Sequence, residues 1–360
     1  MKISTFSLSQ MPDQSQRVEA FDQDLNHFQL AETLGFDTIW LAEHLFSTYG
    51  IVTSTQVLAA AVARLTTRIN IGTAVVVMPF NHPLRTASDF ALVDVLSHGR
   101  LKFGAGRAYQ PHEFVGLGVP MDKSREMYAE ALDVVLRAWT EEKIKHEGDF
   151  WTIPAEVEVL PKPIQHPDPP VYQATISPES FAVAARDGWN LQLASPFTYR
   201  TYREVWMDEL EKQLKLYEQE CEKHGRDPKG AERMILLPFF VHEDKAAAVE
   251  VYGPHVEWFY DKVTSNQLAS AGPAQTVKGY ELTMTEGRKT REMGYLNFDT
   301  LHKYNAAIAD DPDGCVEKLS EMKERFGITE FALWYNIGGL APEHAERAMR
   351  LTAEKIMPGL

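Results

Sequence analysis

Cysteine is nearly absent, with 2 in 360 residues. Cys221 and Cys315 stand alone, without the paired spacing of a zinc or redox motif, so neither a disulfide framework nor a thiol centre is expected. No Asn-x-Ser/Thr sequon occurs. Long apolar runs are missing too. The most hydrophobic stretch, Ile69 to Phe80, contains Asn70 and Gly72 and is too short to span a bilayer. Residues 1–16 hold one lysine and no apolar run of the secretory kind. Positive charge is in deficit: 36 Lys+Arg face 51 Asp+Glu, a formal net charge of -15. That balance argues against nucleic acid and against an anionic membrane surface as partners. The composition therefore leads us to expect a reduced, soluble, cytoplasmic protein.

Several chemical signatures are also lacking. There is no P-loop, HExxH, EF-hand loop or Cys/His cluster, so no metal site is expected, and no GxSxG elbow of a serine hydrolase. Gly104-Ala105-Gly106 is half of a dinucleotide fingerprint, but Tyr109 stands where the third glycine belongs, which disfavours a Rossmann site.

What the chain does have is alternation of short apolar runs with amphipathic stretches. Ile3–Leu8, Thr38–Leu41, Ile69–Met78, Leu101–Gly106, Val171–Ala174, Leu191–Ala194, Met234–Val241 and Ile328–Tyr335 read as strands. The third is almost continuously apolar, as a strand buried on both faces should be. Helices are expected between them, over about 18–34, 54–66, 83–97, 123–140, 178–187, 200–224, 312–326 and 342–356. In the 200–224 stretch Trp206, Leu210, Leu214, Tyr217 and Cys221 recur at helical spacing. Eight strands separated by helices point to a TIM-like (β/α)8 barrel filling 1–360 as one domain. Two insertions break the rhythm: a β excursion over 148–163, and a polar stretch over 262–305 after the seventh strand. The latter is too long for an ordinary connection and is read as a loop.

In such a barrel the active site lies at the C-terminal strand ends. That rule selects Glu43 and His44 after the second strand, then Asn81, His82 and Arg85 after the third. Arg107, Tyr109 and His112 follow the fourth, Thr175, Ser177 and Ser180 the fifth, and Ser195 the sixth. An imidazole there can exchange a proton near neutral pH or merely pack. Arg107 with Ser177 and Ser180 would suit an anion at a helix N-terminus. Equally, Ser177 would cap that helix, with Pro178 at its first position.

Longer matches carry a resemblance. Leu34-Gly-Phe-Asp-Thr-Ile-Trp-Leu-Ala-Glu-His44, Arg68-Ile-Asn-Ile-Gly-Thr-Ala-Val-Val-Val-Met-Pro79 and His82-Pro83-x-Arg85 are followed by Leu96-Ser-His-Gly-Arg100 and Phe103-Gly-x-Gly-Arg107. Gly338-Gly339-Leu340 and the Ala348–Pro358 stretch extend the match to the C-terminal region. The chain resembles the bacterial luciferase-like flavin-dependent monooxygenases, most closely the luciferase α-chain branch, over nearly its whole length.

The resemblance implies a barrel that takes reduced FMN from a separate reductase. With O2 it would form a C4a-peroxyflavin and oxygenate a small organic substrate, such as an aromatic or heterocyclic ring or a carbonyl compound. It implies His44 as the catalytic residue, with Ala74 and Val75 against the isoalloxazine, where relatives often have a non-prolyl cis peptide. Arg107, Arg125, Ser177 and Ser180 would hold the phosphate, Ile176 would contribute backbone, and Tyr109 and Ser195 would approach the flavin. A homodimer through helices near the second and third strands is implied as well, with the Ala-rich Leu58–Ala63 stretch permitting close packing. Three positions depart from the luciferase pattern: Leu45 for a second histidine, Gly106 for a reactive cysteine, Ile176 for an acidic residue. They weigh against light emission and long-chain aldehydes but leave flavin binding untouched. A reactive flavin oxygen adduct must be kept dry, so the 262–305 stretch is expected to be a lid. Two alternatives stay open: an F420-dependent hydride-transfer enzyme of the same superfamily, and a non-catalytic flavin-binding accessory subunit.

Overall fold

The computed structural model describes residues 1–196, 206–270, 280 and 297–360. Eight parallel strands close into a ring: β1 (Lys2–Ser7), β2 (Thr38–Leu41), β3 (Asn70–Thr73), β5 (Leu101–Gly106), β8 (Val171–Thr175), β9 (Asn190–Leu193), β10 (Arg233–Val241) and β12 (Glu330–Trp334). Closure is made by β1 pairing with both β2 and β12, with Phe6 beside Trp40 and Thr5 beside Leu333. Every residue of β2, β5 and β12 is buried. Their apolar runs are thus explained by burial on both faces.

Helices wrap the ring: α1 (Arg17–Leu34), α2 (Thr55–Leu65), α3 (Pro83–Leu96), α4 (Pro111–Leu117), α5 (Ser124–Thr140), α6 (Pro178–Asp187), α7 (Trp206–Lys223), α8 (Lys245–Ser270), α9 (Phe298–Lys303), α10 (Pro312–Phe326) and α11 (Pro342–Leu351). Gly35 ends α1 in the left-handed region at φ 84, and its N–H returns to Ala31 and Glu32 carbonyls, as a glycine C-cap does. On α7 the stripe Trp206, Leu210, Leu214, Tyr217 and Cys221 is buried throughout. Residues 200–205, expected to begin that helix, lie outside the described residues.

The structure departs from the sequence reading at several places. The third strand is not continuous: β3 ends at Thr73, β4 (Val76–Val77) pairs with β5, and between them Ala74 and Val75 share a cis peptide bond. The β excursion is an antiparallel hairpin of β6 (Ile144–Glu147) and β7 (Thr152–Val157) that begins before residue 148. A short parallel strand, β11 (Ile308–Asp310), is added outside the ring against the far half of β10. The stretch 262–305 is not structureless at its ends, since α8 runs to Ser270 through Pro254 and α9 covers 298–303. Its middle, 271–279 and 281–296, lies outside the described residues. The Ala-rich face of α2 points inward: Leu58, Ala59, Val62 and Ala63 are buried against the barrel, while Val57 is exposed.

Candidate active site

His44 leaves the end of β2 and is fixed from both sides. Its backbone N–H donates to Val52 O at 3.0 Å. A Cβ on Gly50 would lie 2.8 Å from the His44 Cβ, so only glycine lets the returning strap pass so closely. Tyr49 meets the ring edge-on at 4.9 Å, and Tyr109 at 5.8 Å from the side of β5. Nδ1 is 2.8 Å from Glu113 Oε1 and 3.2 Å from the Tyr49 hydroxyl. Glu113 Oε1 also accepts the Leu45 N–H at 3.0 Å. Nε2 has no partner among the described residues.

Two further groups crowd this corner. Glu43 is buried beside Glu113; desolvation first, then the Glu113 charge, pushes its carboxyl up to about 8, so it is neutral at pH 7. His112 Nε2 reaches Leu45 O at 3.1 Å, and burial pulls this imidazole below its usual value. Asn81 donates to Val77 O at 3.0 Å and also hydrogen-bonds the Glu43 carboxyl, and His82 caps α3. Arg85 points outward, 3.9 Å from Asp89.

Between His44 and the next strands the floor is stripped of side chains. A Cβ on Gly104 would fall 1.9 Å from Thr73 O, and one on Gly106 would fall 2.6 Å from Val75 Cγ2. Gly104 is thus explained by strand contact, its N–H and carbonyl both 2.8 Å from the Thr73 hydroxyl. Gly106 leaves the room that Val75 fills. Ala74, Val75 and Gly106 therefore form one small apolar surface.

On the other side of β5 lies a cationic corner. Arg107 is covered by the Tyr280 ring, with the guanidinium carbon 4.3 Å from the ring centroid. Burial draws this guanidinium down from the usual arginine value. The Tyr280 hydroxyl is 2.9 Å from both Ala108 O and Ser124 Oγ. Arg125, one residue after Ser124, is 3.7 Å from Glu179. Glu179 sits in the first turn of α6. The Ser177 hydroxyl and its own N–H hold its carboxyl below the ordinary range, and Arg125 and Arg107 add to this. Ser180 Oγ accepts the N–H groups of Ile176 and Ser177 at 3.1 Å each and donates to Ser177 O at 2.6 Å. The capping reading of Ser177 with Pro178 behind it holds. The Ile176 side chain faces solvent.

The structure thus groups His44 with Tyr109, Ala74 and Val75 with Gly106, and Arg107 and Arg125 with Ser177 and Ser180. Ser195 follows β9 with its hydroxyl buried and without a hydrogen-bond partner among the described residues. Both amide atoms of fully buried Gln110 and Nδ1 of His112 are also unpaired. Thr175 is spent on Gln192 O at 3.0 Å.

A family model for luciferase-like monooxygenases matches residues 1–330. The chain belongs to the luciferase-like monooxygenase family. It is 26% identical to an alkanal monooxygenase alpha chain from the Kryptophanaron alfredi symbiont, over 100% of this chain and 98% of that one. It is 25% identical to the oxygenase component of a flavin-dependent trigonelline monooxygenase from Acinetobacter baylyi, over 99% and 95%. The crystal structure of monooxygenase RslO1 from Streptomyces bottropensis superposes with a TM-score of 0.80 at 28% identity, covering 99% of both chains. Among the described residues no helix is long and apolar enough to cross a membrane, and no His/Cys/Asp/Glu group is placed to hold a metal ion.

Glu113, Tyr49 and Tyr280 escaped the sequence reading. Glu113 lies 69 residues from His44 on a short helix, α4, that periodicity did not reveal. The available signal was an acidic residue in the first turn of a Pro-started helix directly after a barrel strand.

Proposed function

We propose that this chain is the oxygenase component of a two-component monooxygenase. It takes reduced FMN from a separate flavin reductase and uses O2 to oxygenate a small organic substrate, a ring or a carbonyl compound, working as a homodimer. The observation that carries the reading is a histidine whose Nε2 has no partner among the described residues, joined through Tyr109 to the strand end that also bears Arg107.

The residues present fit FMN. Glu179, a carboxylate at the α6 N-terminus beside Ser177 and Arg125, supports an anion site at this corner. Positive helix ends and arginine forks favour such an anion. Arg107, Arg125, Ser177 and Ser180 would hold the phosphate, while the Ile176 N–H, already donated to Ser180, would keep that hydroxyl in place. Ala74, Val75 and Gly106 offer a flat apolar surface to the flavin ring, edged by Tyr109 and the unpaired Ser195 hydroxyl. Bound reduced flavin supplies the electrons that activate O2. His44 would accept or hold a proton at Nε2 beside the reacting atoms, and the apolar floor excludes water from them.

Anaerobic titration with reduced FMN, reduced riboflavin and reduced F420, followed by mixing with O2 in a stopped-flow spectrometer, tests this. Reduced FMN should bind more tightly than oxidised FMN. Arg107→Ala should weaken reduced FMN by roughly tenfold to a hundredfold and riboflavin little, because a charge-assisted hydrogen bond contributes about 1.5–3 kcal/mol. Tight binding of F420 without binding of reduced FMN would favour hydride transfer instead. Binding without any reaction with O2 would leave an accessory subunit.

A further inference from the structure

The two ring nitrogens of His44 are treated differently by the described residues. Nδ1 meets Glu113 Oε1 at 2.8 Å and the Tyr49 hydroxyl at 3.2 Å. Nε2 meets no described group. Glu113 is 1% exposed, and a carboxylate at that depth requires partners for its charge. It finds them in the Leu45 N–H and in Nδ1 on the same oxygen. A carboxylate only accepts hydrogen bonds, and in a neutral imidazole the bond made by one nitrogen decides which nitrogen carries the proton. Of the other titratable groups described at this corner, the Tyr49 hydroxyl also meets Nδ1, but at 3.2 Å it is the longer contact and can turn its own proton elsewhere, whereas a carboxylate can only accept. Glu43 bonds Thr55 at 3.4 Å on its own side, and His112 is spent on Leu45 O.

We infer that Glu113 is a positioning residue of the site: it keeps the His44 proton on Nδ1 and turns a bare Nε2 toward the substrate side. Glu113 touches no reacting atom itself. The arrangement matches the way carboxylates orient functional histidines elsewhere, fixing the tautomer and the ring plane together. Leu45 reinforces it, because its N–H pins Oε1 and leaves that oxygen little freedom to leave Nδ1. The catalytic use of Nε2 rests on the proposed oxygenase reading; the tautomer does not.

The test is 15N NMR of the full-length protein labelled at its 12 histidines, at a pH above the histidine range. The His44 signals are assigned by their loss in His44→Asn. In the wild type the proton should sit on Nδ1. Glu113→Ala should move it wholly or partly to Nε2, and coupled turnover with reduced FMN should fall about 100-fold at nearly unchanged flavin affinity, within the usual range for a positioned base. Glu113→Gln keeps an acceptor oxygen under the Leu45 N–H, so it should preserve the Nδ1 proton and recover about tenfold of the loss. A wild-type His44 protonated on Nε2, or an unchanged tautomer in folded Glu113→Ala, overturns the inference. Should Glu113→Ala fail to fold, the wild-type and Glu113→Gln spectra still decide it. A wild type with its proton on Nδ1 but no reaction between reduced FMN and O2 upholds Glu113 and removes the oxygenase reading.

Discussion

The two ends of the barrel bury charge in opposite ways. At the N-terminal strand ends every buried charge is answered. Lys102 spends its three protons on Asp37 at 2.9 Å, Thr38 at 2.8 Å and Glu330 at 2.9 Å. Glu330, fully buried, also accepts from Ser4 at 2.6 Å and Trp40 at 2.7 Å. Burial alone would pull the Lys102 ammonium down, but Glu330 and Asp37 override it and hold it above the ordinary lysine value. At the C-terminal ends buried Asp310 is answered as well, by Lys245 at 3.0 Å and Lys318 at 2.7 Å, but around His44 the accounts stay open. Glu43 is kept neutral, His44 Nε2 has no partner among the described residues, and Gln110, His112 and Ser195 carry buried unpaired atoms. Saturated networks rigidify a fold, whereas unsatisfied ones mark places where a protein meets something else. The contrast separates a foundation from a site by whether buried polar groups find partners.

The contrast is sharpest if a change at one end lowers activity while a change at the other lowers stability. His44→Ala should reduce coupled turnover by about 10²–10⁴-fold while melting temperature and reduced-FMN affinity stay within a few-fold or a few degrees of wild type. Turnover, flavin titration and thermal melting of the same preparations check this. His44→Asn should restore hydrogen bonding but no proton transfer. A packed, non-catalytic histidine would instead lose stability and flavin binding together.

At the other end, Lys102→Met should leave fully buried Glu330 without its cation and remove one partner from half-buried Asp37. Breaking a buried pair on one side costs about 3–5 kcal/mol. Denaturant unfolding should show that loss, and turnover per folded molecule should remain as in wild type. Loss of activity in molecules that are fully folded would erase the distinction between the ends.

Much of this contrast was legible before any coordinates. Continuous apolar runs marked the buried parallel strands, and the strand-end rule then brought forward Glu43, His44, Arg107 and Ser177 from scattered positions. What stayed hidden was pairing across the ring. Lys102 and Glu330 are 228 residues apart, and nothing local in either strand says that its charge is matched. The same holds for His44 and Glu113. Gly106 illustrates a different limit: as part of an incomplete glycine fingerprint and in the place of a cysteine it gives no sign of the volume exchange with Val75 that the structure shows. The interruption of the third strand at Ala74 and Val75 left no trace in its hydropathy either; only the resemblance pointed to a cis bond there. Three-residue β11 is too short to alternate, and the Pro254 within α8 carries no helical signal of its own.

Glu43 offers the finest test, because it should behave as the reverse of Lys102. Its carboxyl titrates near 8 in the folded protein against an ordinary value of 4.5. The folded state therefore binds a proton that the unfolded state has released across this window. Stability falls as pH rises wherever the native state holds the extra proton. Below the unfolded value both states are protonated, and Glu43 costs nothing through this route. Between the two values the cost grows by about 1.4 kcal/mol per pH unit, and above the folded value it levels off. Glu43→Gln keeps the shape and an acceptor oxygen for Thr55 but cannot ionise. It should leave stability unchanged near pH 4 and raise it by up to about 3 kcal/mol at neutral pH, the gain flattening above the folded value. Urea unfolding of both proteins across this range reads the difference directly. A pH-independent difference would mean that Glu43 is already ionised in the folded protein. The barrel mouth would then hold two adjacent carboxylates rather than one charge shared with His44. Because the Glu113 charge contributes to holding Glu43 neutral, the same measurement in a Glu113→Gln background should show a smaller gain that levels off at lower pH.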